Sequence, residues 1–265
     1  MDLDGKGKRL REQIGGRGSM LVAFSGGVDS SLLAAVAREV LGDRCRAVLL
    51  ESPVVPRSAI RYAEETAAGL GIPLERVLVP LMEEEAFLAN PADRCYHCRK
   101  VSARVLKARA AELGYACVAD GINSSDLGEH RPGIRAGDEE GIVHPFVEAG
   151  ITKADIRDIA RRDGYGFWDR PSAACLSSRI PYGERITAGR LGLIERAEDQ
   201  LRGMGFTQAR VRLHGPVARI EVIPGEMERL WRERGRILEI LRPIGFPYVT
   251  VDLAGYRSGS MDEVL

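Results

Sequence analysis

The chain has 265 residues, 45% apolar and 29% charged, a balance that describes a globular protein with its own core and excludes a disordered or fibrous one. Lys plus Arg and Asp plus Glu both number 38, so the formal charge is zero, which argues against a large non-specific nucleic-acid surface but leaves room for a local basic patch. No apolar run approaches the ~20 residues of a membrane span, and the opening MDLDGKGKRLREQ lacks the apolar stretch of an export signal, so a cytoplasmic protein is expected.

In chain order, residues 1–19 read as a helix followed by the Gly-rich GGRG. Strand candidates follow at Leu21–Phe24, Ala47–Glu51, Arg76–Pro80 and Cys117–Asp120, alternating with helical patterns at Ser31–Leu41, Arg57–Leu70 and Lys100–Leu113. This alternation predicts an α/β fold, a parallel twisted sheet with helices on both faces. Ligands in such sheets bind beyond the carboxyl ends of the strands. A helix at Lys153–Arg162 leads into the Pro/Ser-rich segment Asp169–Tyr182, and a domain boundary is expected after it: residues 1–182 and 183–265. The second part reads as helix Ala188–Met204, strands Ala209–Leu213 and Ala218–Val222, helix Glu226–Leu241 and strand Tyr248–Asp252, a small C-terminal α/β domain.

The apolar run Met20–Phe24 ends in Ser25-Gly26-Gly27-Val28-Asp29-Ser30, and a helical pattern starts at once. The Gly-Gly pair lets the backbone come close to a ligand. The helix N-terminus behind it favours an anion, so the loop is suited to phosphate. It is neither a Walker A loop nor a dinucleotide fingerprint, because G-x-x-x-x-G-K-[ST] and G-x-G-x-x-G are both absent. The six residues resemble the pyrophosphate loop (PP-loop) of the N-type ATP pyrophosphatases. That resemblance implies cleavage of ATP between its α and β phosphates, with Ser25, Gly26, Gly27 and Ser30 holding pyrophosphate and Asp29 holding Mg²⁺.

Five cysteines without an export signal argue against a disulfide framework. Cys45 and Cys117 lie in or beside apolar strands and read as small core residues. Arg94-Cys95-Tyr96-His97-Cys98 carries a Cys-x-x-Cys compatible with zinc, a redox pair or an iron–sulfur cluster. A Cys₄ zinc site is not available, and His97 fits poorly as a zinc ligand between its neighbours. The one further partner is Cys175, in Pro171-Ser172-Ala173-Ala174-Cys175-Leu176-Ser177-Ser178-Arg179. Three thiolates leave one corner of a four-iron cluster open for an extra sulfide.

The PP-loop, the Cys175 segment with its continuation Ile180-Pro181-Tyr182-Gly183, the closing Gly255-Tyr256-Arg257-Ser258-Gly259-Ser260, and Gly121–Leu127 with His130-Arg131-Pro132-Gly133 together resemble the LarE family. These are the ATP-dependent sulfur-inserting enzymes of nickel-pincer nucleotide biosynthesis, and the similarity runs from about residue 10 to the C-terminus. The resemblance implies that pyridinium-3,5-biscarboxylic acid mononucleotide is adenylated on each carboxylate and converted to the bisthiocarboxylic acid. It implies a small-molecule mononucleotide substrate and a sulfide donor, no nucleic acid or membrane, and a homo-oligomer. Cys95, Cys98 and Cys175 together resemble the branch in which a [4Fe-4S] cluster carries the transferable sulfide, sacrificial donation from Cys175 being the alternative. Glu221 and Arg257 resemble positions near the reacting centre, Glu198 less clearly so, and Ser178 is placed to hydrogen-bond near Cys175. Asp126 and Arg131 are expected at the nucleotide. Arg210 and Arg212 alternate on a strand, share one side of it and form a candidate clamp for the substrate phosphate.

Rival readings are a tRNA thiolase, disfavoured by zero net charge; an amide-forming synthetase, which gives the three cysteines no role; and a non-enzymatic scaffold, which leaves the intact loop unexplained.

Overall fold

The computed structural model describes residues 2–128, 132–170, 174–257 and 259–263. The chain forms two compact units, Met1–Leu81 with Asp93–Ala173 and Met82–Ala92 with Ala174–Leu265.

In the first unit, β1 (Met20–Ala23), β2 (Cys45–Glu51), β3 (Leu74–Leu78) and β4 (Cys117–Ala119) make a wholly parallel sheet in the order β3-β2-β1-β4. The near-continuous apolar runs of β1, β2 and β4 have a simple cause, since both faces are covered there, whereas the edge strand β3 carries Glu75, Arg76 and the exposed Leu78. Met20, Val22, Ala47 and Leu49 face a core shared with Leu32, Leu33, Ile60 and Ile156, whereas Leu21, Val48 and Val118 face Ala103, Leu106 and Ala110. Helix Val28–Leu41 is buried on nearly every side because helices Leu3–Gly16 and Lys153–Arg162 pack outside it. From β1 the chain moves outward through β2 and β3, then returns to place β4 on the other flank of β1. The strand order therefore reverses between β1 and β4, where α/β sheets open a crevice for ligands.

Helix Arg94–Leu113 starts six residues before the predicted Lys100. RCYHCRK has no apolar periodicity, and its helicity comes from packing against a helix the pattern did not show, Pro132–Glu139.

The second unit carries a three-stranded sheet of β5 (Ala209–His214), β6 (Val217–Val222) and β7 (Tyr248–Val251), with β5–β6 antiparallel and β6–β7 parallel. Helix Ala188–Gly203 packs on β5. The predicted helix Glu226–Leu241 is interrupted: a 3₁₀ turn, Pro224–Glu226, precedes Met227–Arg232, and a second helix runs Arg234–Ile244. Between the buried Leu230 and Ile237 no buried apolar side chain pins the helix. Met82–Ala92 joins this unit through the fully buried Asn90, whose amide donates to the carbonyls of Pro181 (2.7 Å) and Glu184 (3.0 Å). Asn90 holds φ 55°, a left-handed conformation that asparagine tolerates. Among the described residues no helix is long and apolar enough to cross a membrane.

Gly26 has φ +72°, and an added Cβ would lie 2.7 Å from the Cα of Ala63 on helix Arg57–Gly69. Gly26→Ala is expected to cost at least ~1–2 kcal/mol from the backbone conformation alone, read as a lowered urea midpoint with an unchanged m-value.

Candidate active site: the phosphate loop and the thiols

Gly27 is the N-cap of helix Val28–Leu41 and supplies no side-chain cap, so the amides of the first turn remain available to a ligand. The loop is held by its two serines. Ser30 Oγ accepts from Ser25 N (3.1 Å) and donates to the carbonyl of Gly27 (3.2 Å), while Ser25 Oγ lies 3.1 Å from Ser30 Oγ. Asp29 Oδ2 pairs with Lys153 Nζ at 2.5 Å, and Asp29 Oδ1 is buried with no hydrogen-bond partner. An orphaned carboxylate oxygen beside an anion site fits a magnesium ligand.

Lys153 escaped the sequence reading. It opens helix Lys153–Arg162, where a cation opposes the helix dipole. Asp29 and the Thr152/Asp155 capping box compensate. A lysine placed just behind a capping threonine was the signal in the sequence.

The rim after β4 meets the loop directly. A Cβ on Gly121 would lie 2.9 Å from both Asp29 Cβ and Ser30 N, so only glycine lets the two segments approach this closely. Asp126 is buried, and its Oδ2 accepts from Asn123 N (2.9 Å) and Asn123 Nδ2 (2.8 Å), which fixes the turn. Arg131 lies outside the described residues.

Cys95 and Cys98 are three apart at the start of helix Arg94–Leu113, Cys95 exposed and Cys98 half-buried. The positive end of a helix favours thiolates, so the pair fits as two ligands of a metal or cluster. His97 Nε2 lies 3.6 Å from Asp93. Cys45 is a core residue as expected, and burial pushes its thiol up to about 12. Cys117 is half-buried, with Sγ 3.5 Å from the Ser19 carbonyl. Within either unit, no three His, Cys, Asp or Glu side chains among the described residues stand close enough to hold a metal ion.

Cys175 belongs to the second unit, at the head of the 3₁₀ turn Leu176–Arg179. The hydroxyl 2.9 Å from its sulfur is that of Ser177, not Ser178. Ser178 Oγ instead donates to the Cys175 carbonyl at 2.8 Å, because the turn reverses its side chain onto the backbone. That carbonyl also accepts from Ser178 N (3.2 Å) and Arg179 Nη1 (3.0 Å). Arg179 is fully buried and forked onto Glu198, Nε–Oε1 2.9 Å and Nη2–Oε2 3.1 Å, and Glu198 Oε1 accepts in turn from Val211 N at 3.1 Å.

Arg210 and Arg212 share a face of β5 as expected, but they differ in company. Arg212 is bound to Glu221 (2.7 Å), Ser260 Oγ (3.0 Å) and the Ser178 carbonyl (3.1 Å). Glu221 is wholly buried and also meets Ser260 Oγ at 2.9 Å. Arg210 has no carboxylate within ion-pair distance among the described residues; it lies over the Tyr256 ring, 5.3 Å from its centroid. Burial, then the neighbouring Arg179 charge, push its pKa below the ordinary arginine value. Arg257 pairs with Glu263 at 2.5 Å, which raises its pKa.

These features define an ATP-dependent PP-loop enzyme with accessible thiols. A family model described as NAD synthase matches residues 8–114. A protein of Synechocystis is 40% identical over 99% of both chains. The pyridinium-3,5-bisthiocarboxylic acid mononucleotide synthase of Lactiplantibacillus plantarum is 34% identical over 92% of this chain and 89% of its own. A GMP synthase of Phaeosphaeria nodorum is 30% identical, but over only 46% of this chain and 22% of its own. The chain belongs to the LarE family and is an ATP-dependent sulfurtransferase.

Removing one partner of a buried ion pair leaves the other charge stranded. Glu198→Ala is therefore expected to cost ~3–5 kcal/mol in urea unfolding.

Proposed function

We propose that the chain converts pyridinium-3,5-biscarboxylic acid mononucleotide into the bisthiocarboxylic acid mononucleotide, one carboxylate at a time, for a nickel-pincer cofactor. The observation that carries this reading is the identity of 34% over 92% of the chain to the Lactiplantibacillus plantarum synthase.

The chemical problem is that a carboxylate repels nucleophiles. A substrate carboxylate oxygen attacks the α-phosphorus of ATP, the α–β bond breaks and pyrophosphate leaves, giving an acyl adenylate. A sulfur nucleophile then adds to the carbonyl carbon, the C–O bond to AMP breaks, and a thiocarboxylate remains. The first-turn amides behind Gly26 and Gly27, with Ser25, Ser30 and Lys153, hold the phosphates, and Asp29 holds Mg²⁺, which neutralises the departing charge. Asp126 and Arg131 are assigned to nucleotide binding. Arg210, the less neutralised of the two strand arginines, takes the substrate phosphate, with Arg212 held rigid beside it by Glu221. Glu221 and Arg257 are assigned near the reacting centre.

Cys95, Cys98 and Cys175 are assigned to hold a [4Fe-4S] cluster. When bound, that group supplies a sulfide on the iron that no protein thiolate occupies.

A second reading, sacrificial donation from Cys175, is favoured by the Cys175 carbonyl. Three donors, one of them a guanidinium, polarise it and so acidify the Cα–H. In that route Sγ attacks the carbonyl carbon of the acyl adenylate and AMP leaves, giving a thioester; a base then takes the Cα proton, the Cβ–Sγ bond breaks, and sulfur leaves on the substrate as a thiocarboxylate with dehydroalanine behind.

Anaerobic incubation with ATP, Mg²⁺, sulfide and the dicarboxylate mononucleotide should yield a product whose mass shows oxygen-to-sulfur exchange; ATP turned to AMP without it would overturn the reading. Protein purified anaerobically should be brown, with about four irons per chain, and lose colour on Cys98→Ala. Loss of H₂S mass from Cys175 after turnover would instead identify the sacrificial route. Asp29→Asn should lower AMP formation about 100-fold, and Lys153→Met should weaken ATP binding about tenfold, a ~1.4 kcal/mol contact; both are read in single-turnover assays.

A further inference from the structure

One buried polar cluster of the first unit lies outside the groups assigned above. Asp120, directly after β4, is only 4% exposed, yet its carboxylate is fully engaged. Oδ1 faces His144 Nδ1 at 2.6 Å and accepts from Ile122 N at 3.1 Å, while Oδ2 pairs with the guanidinium of Arg99. His144 is brought there by a parallel bridge alongside β4: Val143 N donates to the Val118 carbonyl at 2.9 Å and Asp120 N to the Val143 carbonyl at 3.2 Å. The other ring nitrogen of His144 faces Asp138 at 3.1 Å.

Arg99 is the residue after Cys98, on the same helix. Its side chain reaches Asp120 beneath helix Pro132–Glu139, and that helix presents glycine where the arginine passes. A Cβ on Gly137 would stand 3.5 Å from Arg99 Nε and 3.7 Å from His144 Cε1, and one on Gly133 would stand 3.7 Å from Arg99 Cβ. On the other side of Asp120 comes Gly121, whose backbone rests against Asp29 and Ser30. One carboxylate thus stands between the turn that bears the thiols and the loop that takes ATP.

We infer that Asp120 is a positioning residue: through its ion pair with Arg99 it sets the Cys95–Cys98 turn relative to the nucleotide loop. The inference rests on the reading that these thiols serve sulfur transfer. Mere core filling would need no charge here, since a buried ion pair of this kind is replaceable by apolar groups with little loss of stability.

The test uses the full chain, iron-free, with iodoacetamide labelling resolved by residue, Cys45 as buried reference, and calorimetric titration of magnesium with a non-hydrolysable ATP analogue. Asp120→Asn should speed labelling of Cys98 about fivefold, the effect of ~1 kcal/mol of lost local order, leave Cys45 unchanged and weaken the analogue. The double variant Arg99→Met/Asp120→Asn should regain melting temperature over Asp120→Asn, yet keep the fast labelling. Arg99→Lys, which retains the charge, should label at close to the native rate and covers the case in which Asp120→Asn does not fold. Native labelling in Asp120→Asn, or labelling and melting temperature restored together in the double variant, would overturn the inference. If the native protein takes up no iron and forms no thio product, the sulfur-transfer reading fails separately, and the labelling still decides whether Asp120 sets the turn.

Discussion

The first turn of helix Val28–Leu41 has amides that no side chain of its own cap satisfies, and much of the first unit is arranged around that deficit. A helix start left open in this way has to be solvated or to meet an anion. Crowding keeps its alternatives out: Gly26 lies against Ala63, and Gly121 against Asp29 and Ser30, at distances where a methyl group would collide. The loop is thus fixed between two backbone segments before any ligand arrives. Pre-organised donors of this kind cost no rearrangement when charge develops on the leaving pyrophosphate. The reversal of strand order between β1 and β4 opens the space in which a nucleotide can use them.

The second unit solves a different problem, that of holding several guanidinium groups in a small volume. Arg179 and Arg212 are each buried and each compensated, by Glu198 and Glu221. Arg210 carries no such partner among the described residues, and burial together with Arg179 works against its charge. A partly desolvated guanidinium next to others of its kind gains most from a doubly charged oxyanion, which is the chemistry of a phosphate monoester. The carboxylates therefore neutralise two arginines and leave the third without a carboxylate partner among the described residues.

Much of the first unit was legible because β1, β2 and β4 are apolar runs covered on both faces, and because SGGVDS follows the first of them; the edge strand β3, with Glu75 and Arg76 inside it, starts two residues before the expected Arg76. Its helix from Arg94 to Lys100 was not, since RCYHCRK shows no periodicity and depends on contact with Pro132–Glu139. Lys153 was missed for a related reason: it reaches Asp29 across 124 positions of sequence. Ser178 was expected to hydrogen-bond near Cys175 and does so at its carbonyl, whereas the hydroxyl at the sulfur, that of Ser177, was not foreseen, because the side-by-side hydroxyls of a 3₁₀ turn meet different partners. Asp126 holds the rim turn by accepting from the Asn123 N–H three residues before it, a capping contact at the start of Ser124–Gly128 that the Asn-Ser-Ser-Asp spacing could have signalled.

The surroundings of Cys175 hold two tendencies in tension. Ligation of iron asks for a thiolate and a carbon–sulfur bond that stays intact, and the Ser177 hydroxyl, 2.9 Å from Sγ, is placed to donate to such a thiolate. The carbonyl of the same residue, polarised by Ser178 and Arg179, weakens that bond by making the neighbouring Cα proton easier to remove. Elimination nevertheless needs the sulfur to be acylated first, because a thiolate is a poor leaving group while a thiocarboxylate is a good one. A cysteine bound to iron is not acylated, so cluster ligation would suppress the elimination that its own backbone favours.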